Sequence, residues 1–129
     1  MKLIILDRDG VINQDRDDFV KSADEWIPIA GSMDAIAFLT EAGYTVAVAT
    51  NQSGIGRKYF TMQELTEMHN KMHRLAQQAG GVIDGIWFCP HTAADGCDCR
   101  KPLPGMVSDI LSRFNAEAAD TGLVGESLR

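Results

Sequence analysis

The chain has 129 residues, of which 45% are hydrophobic and 23% are charged, a composition typical of a globular protein with one hydrophobic core. Its formal net charge of −6 argues against nucleic acid and against an anionic membrane surface as partners. It does not argue against a small phosphorylated substrate held by a few local cations. The sequence has no apolar stretch of membrane-spanning length and no basic leader before an apolar segment, so we expect a cytoplasmic protein.

The N-terminal part of the chain predicts a strand, a loop, a helix and a second strand. Residues 2–6, which contain the apolar run Leu3–Leu6, predict a buried central strand. Residues 11–30 have no clear helical period, and we interpret them as a long active-site loop or a small flap. Residues 31–43 begin with Gly-Ser and end with a glycine, which predicts a helix, and the β-rich run 45–50 predicts the second strand.

The later part of the chain continues this alternation. Thr61 and Glu64 have the spacing of a capping box, and the helix that they begin carries core residues at helical intervals: Leu65, Met68, Met72, Leu75 and Ala79. Residues 82–88 predict a third strand, 103–114 a third helix, and 122–125 a short fourth strand. Strands that alternate with helices are joined by right-handed crossovers, so the pattern predicts an α/β fold with a parallel sheet.

Two carboxylates follow the first strand directly. Asp7 and Asp9 precede Gly10, which permits a sharp turn, and ligands of open α/β sheets bind beyond the carboxyl ends of the strands. One carboxylate can attack a substrate while the other handles protons, and the backbone between them can hold a metal. A solvated turn is the alternative, and these residues alone do not decide between the two.

Polar residues also follow the other predicted strands. Thr50-Asn51 end the second strand, where they can hydrogen-bond a phosphoryl oxygen or serve a turn or a helix cap. Arg100-Lys101 come after the third strand, where they can clamp a phosphate or remain solvated. Glu126 follows the fourth strand, where an acid can reach a metal held at the end of the first strand.

The irregular loop 89–101 contains three thiols and one imidazole: Cys89, His91, Cys97 and Cys99. This set matches the closed tetrahedral coordination of a structural Zn²⁺, because four protein ligands leave no position for a catalytic water. Free thiols are the alternative, which two close pairs of ligands disfavour. We expect the metal to stiffen the loop that presents Arg100 and Lys101.

Two further histidines, His69 and His73, lie four residues apart on the helix that follows Thr61. A metal pair is geometrically possible at this spacing. Since no other ligand is evident nearby, we expect both to be solvated helix positions.

The order of these motifs resembles that of the haloacid dehalogenase (HAD) superfamily phosphatases. The common elements are Asp7-x-Asp9-Gly, the strand-end Thr50, the later Lys101 and an acid after Gly125. More narrowly, four segments resemble the D-glycero-D-manno-heptose-1,7-bisphosphate 7-phosphatases: residues 5–13, 50–55, 89–91 and 97–102. The histidinol-phosphate phosphatases share most of these motifs.

The resemblance implies a Rossmann-like HAD fold with three α/β/α layers. It implies a Mg²⁺-dependent phosphatase that removes the 7-phosphate of the heptose bisphosphate, in ADP-heptose and lipopolysaccharide core biosynthesis. Histidinol phosphate is the alternative substrate. The alternative of another class is a catalytically impaired fragment that binds without turnover.

The resemblance also assigns roles to residues of this sequence. Asp7 would form an aspartyl-phosphate, and Asp9 would first donate and then accept a proton. Thr50, Asn51 and Lys101 would hold phosphoryl oxygens, so that positioning and charge neutralisation supply most of the catalysis.

The metal and the rest of the substrate would contact further residues. Mg²⁺ would be held by Asp7, by the backbone carbonyl of Asp9 and by Glu126. The polar groups of the substrate would be met by Arg100, Asn13 and Asp15.

The chain departs from the family pattern at its C-terminal end. Glu126 stands where the family has Asp, and its side chain is one methylene longer, so we expect Glu126→Asp to raise Mg²⁺ affinity or activity. The family continues into a further strand and helix, so we interpret residues 1–129 as one HAD domain that lacks them. The resemblance implies a monomer for the intact family. For this shorter chain we expect either lowered stability or association with another copy or chain through the exposed sheet edge.

Overall fold

The structure, a computed structural model, describes residues 2–101 and 104–125. Its strands and helices are, in chain order, β1 (Leu3–Leu6), α1 (Ser32–Glu41), β2 (Thr45–Asn51), α2 (Ser53–Gly56), α3 (Met62–Gln78), β3 (Gly85–Cys89), α4 (Gly105–Phe114) and β4 (Thr121–Val124). Two short 3-10 helices lie at Ala93–Asp95 and Ala118–Asp120. Within the described ranges, no helix has the length and apolar character needed to cross a membrane.

The four strands form one parallel sheet in the order β3-β2-β1-β4. Leu3 of β1 lies opposite Thr45 of β2 and Thr121 of β4, so the three strands run side by side in matched register. The predicted parallel α/β fold is therefore confirmed. Because all four strands are parallel, the segments that follow β1, β2 and β3 all begin at the same end of the sheet, where the carboxyl ends of the strands lie.

Two hydrophobic clusters cover the two faces of this sheet. Along β1, Leu6 packs with α1 and α3 on one face, whereas Leu3 and Ile5 pack with α4 on the other. The same alternation holds in β2, where Val46 and Val48 belong to the first cluster and the intervening alanines to the second. Each large side chain buried in this way stabilises the fold by about 1.5–3 kcal/mol. The three α/β/α layers agree with the predicted architecture.

The segment 11–30 contains turns and isolated bridges instead of a helix or a strand, as predicted. It is nevertheless closely packed, because Val20 and Trp26 are almost completely buried in the first cluster. The ammonium group of Lys71, on α3, donates to the carbonyl oxygens of Ala23 at 2.7 Å and Trp26 at 2.6 Å. The segment is thus attached to the helical layer.

Most predicted bounds are close to those observed, and β3 differs most. It begins at Gly85, three residues after the predicted start at Val82. Asp84 explains the difference, because its backbone N donates to the carbonyl of Val46 while its carboxylate accepts from the backbone N of Val46. A hydrogen bond to the Asp84 side chain thus replaces a backbone hydrogen bond of the β-ladder just before the strand. The predicted core positions of α3 are confirmed at Met68 and Met72, which are both 0% exposed.

Candidate active site

Asp7 lies at the carboxyl end of β1 and is only 4% exposed. Its backbone N donates to the carbonyl of Val124, which fixes it against the end of β4. Its Oδ1 accepts from the backbone N of Arg8 at 2.8 Å and pairs with the ammonium group of Lys101 at 2.9 Å. Its Oδ2 is buried and has no hydrogen-bond partner among the described residues. The two oxygens of this carboxylate therefore have different environments.

Lys101 reaches Asp7 across the end of β2. Its ammonium group donates to the carbonyl of Ala49 at 2.9 Å, and its backbone is bound to the side chain of Asn51. The Asn51 Oδ1 accepts from the backbone N of Lys101 at 2.9 Å, and the Asn51 Nδ2 donates to the Lys101 carbonyl at 3.2 Å. The strand end of β2 thus positions a cation beside the carboxylate of β1.

Asp9 is held mainly through one oxygen. Its Oδ1 is contacted by Arg8 Nε at 2.8 Å, by Arg8 Nη2 at 2.7 Å and by Asn13 Nδ2 at 3.0 Å. Its Oδ2 accepts from Gln52 Nε2 over a longer distance of 3.4 Å. The same Gln52 amide donates to Thr50 Oγ1 at 2.8 Å, so one chain of polar contacts joins the ends of β1 and β2.

The prediction for His69 is wrong. Its imidazole is 8% exposed, and its Nε2 lies 3.2 Å from Nη1 of Arg8, a residue that is itself 0% exposed. Burial first, and then the charges of Arg8 and His73, lower the pKa of His69 to about 3. The helical period contained the signal, because position 69 lies on the face of α3 that Leu65 and Met72 share. His73 is exposed, as predicted.

Some predicted site residues have other surroundings or lie outside the described residues. Asp15 is exposed and accepts from the backbone N of Arg16, and Arg100 donates to the carbonyl of His91 at 3.4 Å. These contacts place neither side chain against Asp7. Glu126 lies outside the described residues.

Sequence reasoning missed two residues of this site. Gln52 lies in the loop after the second strand and Arg8 lies between the two acids, and neither position carries a sequence signal of its own. Both are buried, at 2% and 0% exposure, and a buried polar side chain needs partners of its own. Some of those partners come from distant parts of the chain, since Arg8 contacts His69 and Gln52 contacts Asp9.

The cysteine-bearing loop brings its four predicted metal ligands together. The atoms that the four residues offer lie within 4.8 Å of one another. Cys89 Sγ lies 3.5 Å from His91 Nδ1 and 3.5 Å from Cys97 Sγ, and His91 Nδ1 lies 3.3 Å from Cys99 Sγ. Ligands of a tetrahedral Zn²⁺ are separated by roughly 3.5–3.8 Å, given Zn–S bonds near 2.3 Å. The sulfurs of Cys89 and Cys99 are in disulfide contact, so the same atoms also fit a disulfide with Cys97 free.

Comparison with known proteins agrees with this geometry. The family model described as polynucleotide kinase 3 phosphatase matches residues 2–125. A D-glycero-beta-D-manno-heptose-1,7-bisphosphate 7-phosphatase of Neisseria meningitidis is 81% identical over 129 residues, which cover 100% of this chain and 69% of that protein. The enzyme of the same name from Bordetella bronchiseptica is 59% identical over 129 residues, 100% of this chain and 72% of that protein.

A solved structure extends the agreement to the fold. It is the D,D-heptose 1,7-bisphosphate phosphatase of Bordetella bronchiseptica complexed with magnesium and phosphate. The two structures superpose with a TM-score of 0.96 at 59% identity, over 100% of this chain and 72% of that chain. The chain therefore belongs to the D-glycero-beta-D-manno-heptose-1,7-bisphosphate 7-phosphatase family of HAD-superfamily phosphatases.

Proposed function

We propose that the chain is a Mg²⁺-dependent phosphatase that releases the 7-phosphate of D-glycero-β-D-manno-heptose 1,7-bisphosphate, a step of ADP-heptose and lipopolysaccharide core biosynthesis. The observation that carries this proposal is the ion pair between the buried Asp7 and the half-buried Lys101, 2.9 Å apart, at the end of the central strand. Asp9 follows two residues later with one oxygen held by few contacts. The names of the relatives favour this substrate over histidinol phosphate.

The reaction proceeds in two steps on residues of this chain. Asp7 attacks phosphorus, the bond between phosphorus and the sugar oxygen breaks, and Asp9 donates a proton to the departing oxygen. Asp9, now a carboxylate, then takes a proton from water, whose oxygen attacks phosphorus and releases inorganic phosphate. Asp7 is regenerated and Asp9 is protonated again, so neither residue is consumed.

Lys101 neutralises charge on the transferring group, and Thr50 offers its hydroxyl at the neighbouring strand end. Since both polar atoms of the Asn51 amide contact the backbone of Lys101, we infer that Asn51 contributes to phosphate binding by holding Lys101 in place. Such positioning is the main contribution that a protein makes to phosphoryl transfer.

The residues present fit a Mg²⁺ ion. Asp7 Oδ2 is buried without a hydrogen-bond partner among the described residues, and a carboxylate oxygen in that state suits a cation. A side chain at Gly125 would meet Asp7, with its Cβ 3.1 Å from the Cβ of Asp7, so this glycine keeps the approach open. Asp7, Asp9 and Glu126 would hold the ion, which when bound withdraws negative charge from the phosphoryl group.

We also propose that the four-residue cluster holds a structural Zn²⁺. Its support is that three distances among its sulfurs and its ring nitrogen, of 3.3 to 3.5 Å, are close to those between zinc ligands, while the sulfurs of Cys89 and Cys99 lie closer, in disulfide contact. Zinc binding needs reduced thiols, which fits the cytoplasm as the location of the protein.

Phosphate release from the heptose bisphosphate, with and without Mg²⁺, tests the function. Asp7→Asn should abolish release, while the matched change Asp34→Asn, at an exposed position of α1, should leave it unchanged. Histidinol phosphate, assayed in parallel, separates the two substrates. No release from a folded chain loaded with both metals would overturn the proposal and favour a binding fragment without turnover.

A further inference from the structure

The two oxygens of Asp9 are held very differently. Three donor atoms lie within 3.0 Å of Oδ1, whereas Oδ2 has one donor among the described residues, the amide of Gln52 at 3.4 Å. Oδ1 accepts hydrogen bonds from Arg8 Nε and Asn13 Nδ2 and also lies in ion-pair contact with Arg8 Nη2. An oxygen surrounded in this way has little capacity left to exchange a proton. Oδ2 is therefore the oxygen available to exchange a proton with a substrate.

Two of those three donors belong to Arg8, whose own position depends on α3. The guanidinium is completely buried, and its Nη1 faces His69 Nε2 at 3.2 Å and Met68 Sδ at 3.7 Å. Each donor of a buried guanidinium that finds a partner lowers the free-energy cost of its burial. His69 thus supplies from α3 a partner that keeps Arg8 directed at Asp9.

We propose that His69 is a positioning residue for proton transfer, which acts by accepting a hydrogen bond from Arg8 and so directs Oδ2 of Asp9 toward the leaving oxygen. The inference rests on the proposed function, since it concerns the acid of that reaction. His69 remains neutral in its buried setting, with Nε2 as the acceptor and the ring proton on Nδ1.

Substrates with different leaving groups can distinguish a role of His69 in positioning Asp9 from a role that only stabilises the fold. A sugar alkoxide leaves poorly and needs the proton of Asp9, whereas the phenolate of p-nitrophenyl phosphate leaves readily without it. A defect in proton donation therefore lowers kcat for the heptose bisphosphate more than for the aryl phosphate. Asp9→Asn provides the reference for a complete loss of the proton donor.

The experiment compares His69→Leu with His69→Gln and with the matched His73→Leu, one turn further along α3. We expect His69→Leu to reduce kcat by about 10- to 100-fold on the heptose bisphosphate, which is less than the loss expected when the acid catalyst itself is removed. On the aryl phosphate we expect kcat to fall by less than about twofold. His69→Gln retains an acceptor near the place of Nε2 and should recover most of the loss. His73→Leu should change neither rate.

The ratio of the two rates is measured in one sample, so it is independent of the fraction of enzyme that is folded. An equal loss on both substrates in His69→Leu, or a failure of His69→Gln to recover activity, would overturn the positioning role. Failure of the wild-type chain to hydrolyse either phosphate would instead contradict the proposed function.

Discussion

The side chain of Asn51 holds both backbone polar groups of Lys101. Its Oδ1 accepts from the Lys101 N at 2.9 Å and its Nδ2 donates to the Lys101 carbonyl at 3.2 Å. The two residues are fifty positions apart in the chain, so one amide fixes a loop to the end of β2. The Lys101 ammonium then has both the carbonyl of Ala49 and the carboxylate of Asp7 within reach.

Replacement of Asn51 by alanine should therefore impair catalysis by displacing Lys101. Loss of two hydrogen bonds in a partly buried site costs about 1–3 kcal/mol, so we expect kcat/KM to fall by about 10- to 100-fold. Steady-state kinetics measure the effect, and Asn70→Ala at an exposed position of α3 serves as the matched control. Equal kinetics in the two variants would contradict this account of Asn51.

Acid should destabilise the fold through His69. The pKa of His69 is lowered to about 3 from 6.5 by burial first and by Arg8 and His73 second. Between these values the unfolded chain binds a proton that the folded chain does not, so stability falls as pH falls, by at most about 1.4 kcal/mol per pH unit. Above pH 6.5 this contribution no longer changes.

Urea unfolding of the wild type and of His69→Gln, between about pH 7 and pH 4, measures this contribution. The wild type should lose more stability than the variant over that interval. His73→Gln, at an exposed position, should follow the wild type. If the free energy of unfolding fell equally with pH in the wild type and in His69→Gln, the contribution of His69 would be disproved.

The sequence predicted the sheet and the residues at its edge because these follow from local patterns. Short apolar runs predict strands, and polar residues at or just after their carboxyl ends lie at the same end of a parallel sheet, as Asp7 and Asn51 do. The burial of Arg8 could not be predicted, because no local sequence pattern shows that its guanidinium is buried. Its partner His69 comes from a helix sixty-one positions away, so only the packing of α3 on the sheet reveals the contact.

The start of β3 illustrates a second limit of prediction from the sequence. Val82 and Ile83 have β propensity, but Asp84 pairs through its side chain with Val46 and delays the ladder to Gly85. Propensity cannot register a contact made by a side chain to a different strand. For this reason, the sequence predicts the presence of a strand more accurately than the residue at which the strand begins.

Cys97 distinguishes a zinc cluster from a disulfide. If zinc binds, Cys97→Ser removes one of four ligands, and we expect weaker zinc retention and a lower Tm. If Cys89 and Cys99 are joined instead, Cys97 is the free thiol and its replacement should change neither.

Metal analysis and thiol counting on the purified chain give independent readings of the same question. The zinc arrangement predicts one zinc per chain and, after denaturation without reductant, all three cysteines as free thiols. A single free thiol with no bound zinc would establish the disulfide. Removal of the zinc by a chelator, with Mg²⁺ restored in excess before the assay, should also lower activity, because the loop carries Lys101.

Lys71 should control the mobility of the segment 11–30. Its ammonium group donates to the carbonyl oxygens of Ala23 and Trp26 and lies 6.0 Å from the centroid of the Trp26 ring. Lys71→Met keeps the length of the side chain and removes these donors. We expect the free energy of unfolding to fall by about 1–3 kcal/mol, because two backbone carbonyls lose a charged partner.

Hydrogen exchange of the backbone amides in 19–27 measures the local effect, which should exceed the change elsewhere in the chain. Arg74→Met, at an exposed position one turn further along α3, is the matched control and should leave exchange unchanged. Uniform acceleration across the whole chain in Lys71→Met would mean that Lys71 supports the core in general. Acceleration confined to the segment would show that α3 sets its mobility through this one side chain.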